Sequence, residues 1–495
     1  MVRATHPPEV INMRPRVSPR VVLGLLLVVS PRAASAEGLK ADIAAGTRLL
    51  AEGDAQADKG ETTEAVILYK RAFETLLPGL RKLPFKHEVR RDVTAREDLR
   101  ALLIKEIDEE MSPAEFHANE LGMKALGLLP RDINLKETMV KVYAEEIAAF
   151  YDTKTKTMHL IREPEAKQSR SFLERLLGKE VGFDKDENKT VIAHELTHAL
   201  ADQNFDIDAM QEAIKHEHDD DRDLALSALI EGEATLTMIG AQMNDWDGTK
   251  IKDLPSAGLD RVFSLMMPLL PLAGGASLRE APVILSETMI FPYLRGLIFC
   301  ARLTNGGGWD ALSDAYRAPP LSTEQILHPE KYRAQLDRPT RVDLGTLEAG
   351  CGWHEVGRNV VGEMQLGVML RRHGGRNAAA GWDGDRYAVF EGPNGRLGLV
   401  WLTTWDSEAD AREFALGYAR FQAAKLGAAP PPPEKHAEAS RQGAVFALER
   451  RGADVAVVEG FPPDTTNRLL EAAFRATKAE MTYTPPERGR KTQDR

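Results

Sequence analysis

The residues with the clearest chemical potential are two histidines and a glutamate in the segment Val191–Leu200, which contains the pattern H-E-x-x-H. In an α-helix, residues i and i+4 lie on the same face, so His194 and His198 can direct their imidazoles to one point. That arrangement suits zinc. Glu195 lies in a neighbouring direction, from which it can take the proton of a zinc-activated water. The pattern predicts a zinc site with Glu195 as the general base.

A catalytic zinc site needs a third protein ligand and one open position. A histidine ten residues after His194 would be one solution, but that position is Asn204. Downstream, the segment Ala228–Ala234 supplies Glu231 and Glu233 within an otherwise apolar helical pattern. Acids in an apolar stretch are costly to bury unless they are paired or bind a metal. We therefore predict Glu231 as the third ligand, with Glu233 as the alternative.

Amide hydrolysis also needs a donor for the oxyanion of the tetrahedral intermediate, and in such sites this is usually a His or a Tyr. The candidates are Tyr293, His328 and Tyr151, and we assign catalytic roles to the first two. His328 precedes Pro329 in a loop-like stretch, where catalytic residues are often carried. Other polar residues in motif-like settings are expected to be structural, namely His216 and His218 in a charge run and Asp383 and Asp385 in a turn.

The HELTHAL segment followed by an E-G-x-A glutamate resembles the gluzincin branch of the zincin metallopeptidases. In that branch the glutamate of the E-G-x-A segment is the third zinc ligand, so the resemblance implies this role for Glu231. The stretch 150–161 is similar to the edge strand that lines zincin clefts. HELTHALADQNFD, FPYLRGLIFCARL and PPLSTEQILHPEKY resemble exported bacterial proteins with a zincin domain. The resemblance covers about residues 93–335. The chain lacks the N-E-x-x-S-D segment of thermolysin-like enzymes, so the aspartate of that segment cannot be carried over.

The N-terminus has the order of a secretory signal peptide. Five arginines against one acid fall within residues 1–36, the apolar run Val21–Ser30 follows, and Ala34-Ser35-Ala36 ends the segment. We predict cleavage after Ala36 and a periplasmic or secreted protein, with no transmembrane segment in the mature chain. In an oxidising compartment Cys300 and Cys351 either pair or remain free thiols, and the sequence leaves both open.

The pattern along the chain predicts an α+β protein. Residues 37–92 are predicted to form a tetratricopeptide-like helical hairpin that could contact a protein partner. Residues 93–355 are predicted to form a mainly helical zincin-like domain with a small edge sheet. Residues 356–481 are predicted to form a small α+β domain with two strand-strand-helix units, and residues 482–495 a disordered tail. Helices are expected at 188–200, 223–238, 281–303 and 309–318.

The net charge of −11, without a basic patch, argues against a nucleic-acid ligand. The leading interpretation is an exported zinc endopeptidase that acts on polypeptides. One alternative is a zincin-scaffold binding protein of the cell envelope with little or no turnover, and another is a zinc hydrolase of a non-peptide amide. The intact Glu195 favours an enzyme, because a binding protein has no need of a base beside two zinc-type histidines. All predicted ligands precede residue 355, so we expect a fragment ending at Val356 to keep the zinc chemistry.

Overall fold

A computed structural model describes residues 36–162, 185–215, 217–266, 275–374, 378–426, 436–441 and 444–485. Within these residues the fold is mixed α+β and mainly helical, with small sheets. All of the predicted signal peptide except Ala36 lies outside the described residues. His216 and the predicted tail from residue 486 onward also lie outside them.

The N-terminal hairpin consists of α1 (Ala36–Ala57) and α2 (Thr62–Arg81). Small residues allow its helices to approach closely, since a Cβ added at Gly53 would meet the ring of Tyr69 at 2.5 Å. The apolar face of α2, including Phe73 and Leu77, is buried in the same core as the H-E-x-x-H helix. The hairpin therefore packs against the helices that carry the predicted metal ligands.

The next segment combines three helices with a small sheet. The helices are α3 (Arg96–Glu110), α4 (Pro113–Leu126) and α5 (Leu135–Glu146). The strands are β1 (Arg90–Ala95), β2 (Ala149–Asp152) and β3 (Thr157–Arg162). Their order is β1-β3-β2, with β1 parallel and β2 antiparallel to β3. Strand β2, in the stretch predicted as an edge strand, therefore lies at an edge of this sheet.

The central helices are longer than the sequence patterns predicted. They are α6 (Lys185–Phe205), α7 (Ile207–Lys215), α8 (Asp220–Gln242), α9 (Ser256–Met266), α10 (Ala276–Glu280), α11 (Val283–Arg317), α12 (Thr323–Leu327) and α13 (Pro329–Arg333). The helices predicted at 281–303 and 309–318 form the single element α11. It is interrupted only at Gly308, whose φ of 65° and ψ of −164° are non-helical.

Two of these helices, α8 and α11, are long and apolar enough to cross a membrane by length and composition. In α8, 78% of the most apolar window is buried inside the protein, and in α11 the figure is 67%. Burial of this kind is what core helices show, so the length and hydropathy of these two helices are weak evidence for a membrane span.

The C-terminal region is built on a six-stranded sheet with the order β5-β6-β7-β10-β9-β8, in which all neighbours are antiparallel. Its strands are β5 (His354–Asn359), β6 (Trp382–Gly392), β7 (Arg396–Trp405), β8 (His436–Arg441), β9 (Ala444–Arg451) and β10 (Asp454–Phe461). The helices of the region are α14 (Gly362–Leu370), α15 (Glu408–Leu426) and α16 (Pro463–Ala473). Strand β4 (Thr340–Asp343) pairs with β11 (Thr477–Glu480) in a separate two-stranded sheet.

Side chains that alternate along the strands divide the core of this region into two layers. Leu399 and Trp401 of β7 pack with α15, whereas Val400 and Leu402 pack with α16. The sequence pattern of two strand-strand-helix units is present as β6-β7-α15 and β9-β10-α16. The predicted boundary at residue 356 falls inside β5, and β4 before it pairs with the last strand of the chain.

The two cysteines are free thiols in this structure, with Cys300 buried and Cys351 exposed. Of the two possibilities that the sequence left open, the structure therefore has the unpaired one.

Candidate metal centre

Helix α6 presents the two motif histidines on one face. Its apolar residues, among them Ile192 and Leu196, are fully buried in the central core, which fixes the helix and the direction of the opposite side chains. The rings of His194 and His198 meet edge to face with centroids 4.7 Å apart. Their Nε2 atoms are 3.1 Å apart. Two ring nitrogens come this close when they share a proton or a metal ion.

Glu231 of α8 brings a carboxylate oxygen to the same point. Its Oε2 lies 3.1 Å from His194 Nε2 and 3.5 Å from His198 Nε2. Ligands at 2.0–2.1 Å from a tetrahedral zinc are separated from one another by about 3.3 Å. The three measured separations lie around this value. Two nitrogens and one oxygen are also a donor set found in catalytic zinc sites, so these residues fit a zinc ion.

The three side chains are electrostatically coupled. Burial disfavours the ionised form of Glu231, but His198 and His194 outweigh it and lower the pKa of this carboxyl. Burial likewise disfavours the charged imidazole of His198, but Glu231 and Glu195 raise its pKa to about 9. These shifts favour a proton on the cluster at neutral pH when no metal is bound. A metal must displace that proton, so metal binding should weaken as the pH falls.

Glu195 is adjacent to the cluster and only 7% exposed. Burial raises the pKa of its carboxyl, whereas His194, His198 and a hydrogen bond from the backbone N–H of Tyr151 oppose that rise. The carboxylate therefore lies between α6 and strand β2. A raised pKa suits a group that accepts and returns a proton near neutral pH.

Tyr293 of α11 lies beside the cluster, with its ring stacked at 6.1 Å from that of His194. Burial, followed by Glu231 and Glu195, raises its pKa well above the usual value, so the hydroxyl keeps its proton and can donate it in a hydrogen bond. Tyr143 of α5 lies near Tyr293, and burial raises its pKa to about 12. Tyr143 could not be predicted from the sequence, because a tyrosine on an amphipathic helix carries no local signal of a site.

His328 is not brought to the metal cluster. It lies between α12 and α13 and lines a separate cavity of about 450 Å³. There its Nε2 is 3.0 Å from Glu363 Oε1 of α14. The sequence predicts His328 as a donor to the oxyanion. Its imidazole instead contacts Glu363, because α14 packs against α12. Tyr151 also has another partner, since its hydroxyl donates to Asp202 Oδ2 at 2.9 Å.

The other polar residues considered from the sequence lie outside the metal cluster. Glu233 pairs with the buried Arg81. The carboxylate of Asp385 is buried and accepts hydrogen bonds from the indole nitrogens of Trp382 and Trp401. Asp383 accepts from Thr340, and His218 is exposed. A further acidic group, formed by Glu324, Asp337 and Asp406, surrounds the ammonium of Lys331.

A cavity of about 630 Å³ opens on the cluster formed by His194, His198 and Glu231. His194, Glu195, Glu231 and Tyr293 line it together with strand β2. The C-terminal region also contributes to its wall, through Val360, Gln365 and Tyr387. The structure thus places residues beyond Val356 in the same cavity as the predicted ligands. The sequence predicts that this region is dispensable for the zinc chemistry, and its contribution to the cavity wall is not apparent from the sequence. Only tertiary packing brings β6 and α14 to α4 and α8.

Residues 349–470 match a family described as a domain of unknown function (DUF8575). The match covers the six-stranded sheet with α14 and α15, and it begins after the candidate metal ligands. No curated protein and no solved structure matches the chain.

Proposed function

We propose that the protein is a zinc-dependent endopeptidase, with His194, His198 and Glu231 as ligands. The observation that carries this proposal is the convergence of two Nε2 atoms and one carboxylate oxygen within 3.5 Å, next to the buried Glu195. The gluzincin resemblance supports the same ligand set. The signal-peptide pattern supports an exported enzyme, so we include export in the proposal.

Bound zinc would polarise the scissile carbonyl and lower the pKa of the attacking water. Glu195 accepts the proton of this water on its carboxylate and then transfers it to the leaving amine. Its burial favours the first step, because a buried carboxylate binds a proton more readily than an exposed one. The hydrogen bond from the Tyr151 backbone N–H holds the carboxylate at the cavity wall.

Tyr293 is the donor to the oxyanion in this proposal. Its hydroxyl stays protonated because its environment is buried and carries two carboxylates. A hydrogen-bond donor fixed beside the reacting carbonyl stabilises the charge that develops in the transition state. Strand β2 supplies the substrate contact, because its residues line the cavity at a sheet edge. An extended peptide can pair with backbone groups of such an edge that are not already bonded, as the Tyr151 N–H is to Glu195.

The test uses the full mature chain. Metal analysis should find about one zinc per chain, and hydrolysis of an internally quenched peptide library should stop when a zinc chelator is added. The variant Glu195→Gln should retain zinc and lose about 10²–10⁴-fold of the rate. Absence of zinc, or chelator-insensitive hydrolysis, would refute the proposal. A zinc-loaded protein that cleaves none of the peptides would favour the binding-protein alternative.

A further inference from the structure

The cavity extends well beyond the metal cluster. Along α11 it is lined by Tyr293, by Met289 one turn earlier and by Leu285 two turns earlier, which is about 12 Å by helical rise. On α8 the lining continues from Glu231 back to Asp220, about 16 Å along the helix. A volume of about 630 Å³ is in the range of pockets that hold several residues or a drug-sized ligand. The space is therefore larger than hydrolysis of the scissile bond requires.

The part of the cavity around Leu285 is apolar. Phe116 and Met123 of α4, Leu135 and Met139 of α5, and Leu285 belong to one hydrophobic cluster and also line the cavity. We call these five residues the apolar wall. Methionine and leucine side chains at such a surface adapt to apolar groups of different shapes.

Outside the cluster of His194, His198 and Glu231, the charged side chains of the lining are all acidic. Five carboxylates line the cavity, and no lysine or arginine lines it among the residues that the structure describes. They belong to Glu146, Glu195, Asp220, Asp223 and Glu231. Away from that cluster, an acidic side chain or a free C-terminal carboxylate of a substrate would meet no lysine or arginine among the lining residues that the structure describes. The cavity therefore disfavours acidic substrates and the recognition of a chain end by its carboxylate.

The C-terminal region closes the end that is remote from Glu231. Tyr387 of β6 lies against α4, since a Cβ added at Gly122 would come within 2.7 Å of its hydroxyl oxygen. Asp220 at the start of α8 is near the same ring. This wall belongs to the segment that matches the family of unknown function.

We propose that the cavity binds an apolar, non-acidic segment of a polypeptide on one side of the scissile amide, with Tyr387 closing its remote end. The inference rests on the proposed peptidase function and names its substrate class. A polypeptide is favoured over an acyl chain because strand β2 and the side chain of Asn119 also line the cavity. These groups can hydrogen-bond to the amide groups of a peptide backbone, which a plain acyl chain lacks.

The experiment measures binding without turnover. Two labelled peptides, identical except for Leu-Phe-Leu or Asp-Ser-Asp at three adjacent positions, are titrated against the full-chain Glu195→Gln variant by fluorescence anisotropy. The apolar peptide should bind on the order of 10²-fold more tightly. Equal binding, no binding of either peptide, or tighter binding of a long-chain N-acyl amide than of the apolar peptide would overturn the inference.

A pair of variants tests whether this cavity is the binding site. Thr288→Trp, introduced into the same Glu195→Gln background, places a large ring in the cavity lining and should weaken binding of the apolar peptide at least about tenfold. Thr465→Trp, at a half-buried position of α16 outside the cavity, should leave binding unchanged. Circular dichroism spectra that match the wild-type spectrum would show that both variants fold. Unchanged binding by Thr288→Trp would place the peptide elsewhere. If wild-type protein hydrolyses nothing while the binding preference holds, the peptidase proposal fails and the apolar site stands.

Discussion

At the scale of single residues, the proposed metal ligands differ from similar residues elsewhere in the chain by what surrounds them. His198 and His328 are both histidines beside a carboxylate, yet only His198 has a second imidazole nitrogen within 3.1 Å. Glu231 and Glu233 are two positions apart on α8, yet only Glu233 has an arginine partner. The cluster without an arginine or lysine partner is the one that a metal ion can complete.

This contrast predicts the effects of two matched glutamine substitutions. His198→Gln should lower zinc affinity at least about 10–100-fold, because one of three protein ligands is lost. His328→Gln should keep wild-type zinc affinity, because its partner Glu363 lies in the other cavity. Competition with a chromogenic chelator measures both affinities. Equal zinc affinity of the two variants would contradict the assignment of His198.

At the scale of elements, the sequence could predict what local patterns determine. The helical spacing of His194 and His198, the acid on a second apolar helix and the two strand-strand-helix units are all present in the structure. The sequence could not predict which elements, far apart along the chain, contact one another in the fold. The place of His328 depends on α14 packing against α12, and Tyr387 reaches the cavity through contact of β6 with α4. Such contacts depend on the complete tertiary packing and leave no periodic signal in the chain.

The crossing of α8 and α11 is one such contact, and it positions Glu231 relative to Tyr293. A Cβ added at Gly232 would lie 2.1 Å from the backbone carbon of Gly296, so the helices would have to separate. Gly232→Ala should therefore destabilise the protein by about 1–3 kcal/mol and reduce zinc affinity, although alanine favours helices.

Gly240→Ala is the matched control on the same helix. Its Cβ would meet only the side chain of Leu80, at 3.0 Å, and that side chain can shift. Urea denaturation should show a much smaller loss for this variant than for Gly232→Ala. Equal stability of both variants and the wild type would show that the glycine contact does not limit the helix crossing.

At the scale of the whole molecule, a buried ion pair connects the N-terminal hairpin to α8, the helix that carries the proposed ligand Glu231. Arg81, at the end of α2, donates to Glu233 of α8, and the two side chains are 0% and 1% exposed. Removing one partner leaves the other charge buried, so Arg81→Met should destabilise the protein by about 3–5 kcal/mol. The double variant Arg81→Met/Glu233→Gln should recover much of this loss. Urea denaturation of the wild type, Arg81→Met, Glu233→Gln and the double variant gives the coupling energy. If the losses of stability in the two single variants simply add in the double variant, the two side chains do not pair directly.

The acidic end of the cavity, where α3, α8 and the C-terminal region meet, should make stability depend on pH. The cavity walls partly desolvate Asp223 although its side chain reaches the solvent of the cavity, and this desolvation, together with Asp220 and Glu110, raises the pKa of its carboxyl to about 7. The unfolded chain ionises this carboxyl near its ordinary value of 3.8, so between pH 4 and 7 the folded protein binds more protons than the unfolded chain. Stability contributed by Asp223 therefore falls as the pH rises through this window and stays low above it.

Asp223→Asn removes the titrating group and should remove this part of the pH dependence. The stabilities of the variant and the wild type should converge as the pH falls below about 4, where Asp223 becomes protonated in both states, and the variant should be more stable at pH 8. The expected gain is under about 1 kcal/mol, because the side chain is exposed to the solvent of the cavity and water screens its charge. Urea denaturation of both proteins at pH 4, 6 and 8 measures the difference. A difference that is constant with pH, or a variant less stable at pH 8, would mean that the cavity does not suppress the ionisation of this carboxyl.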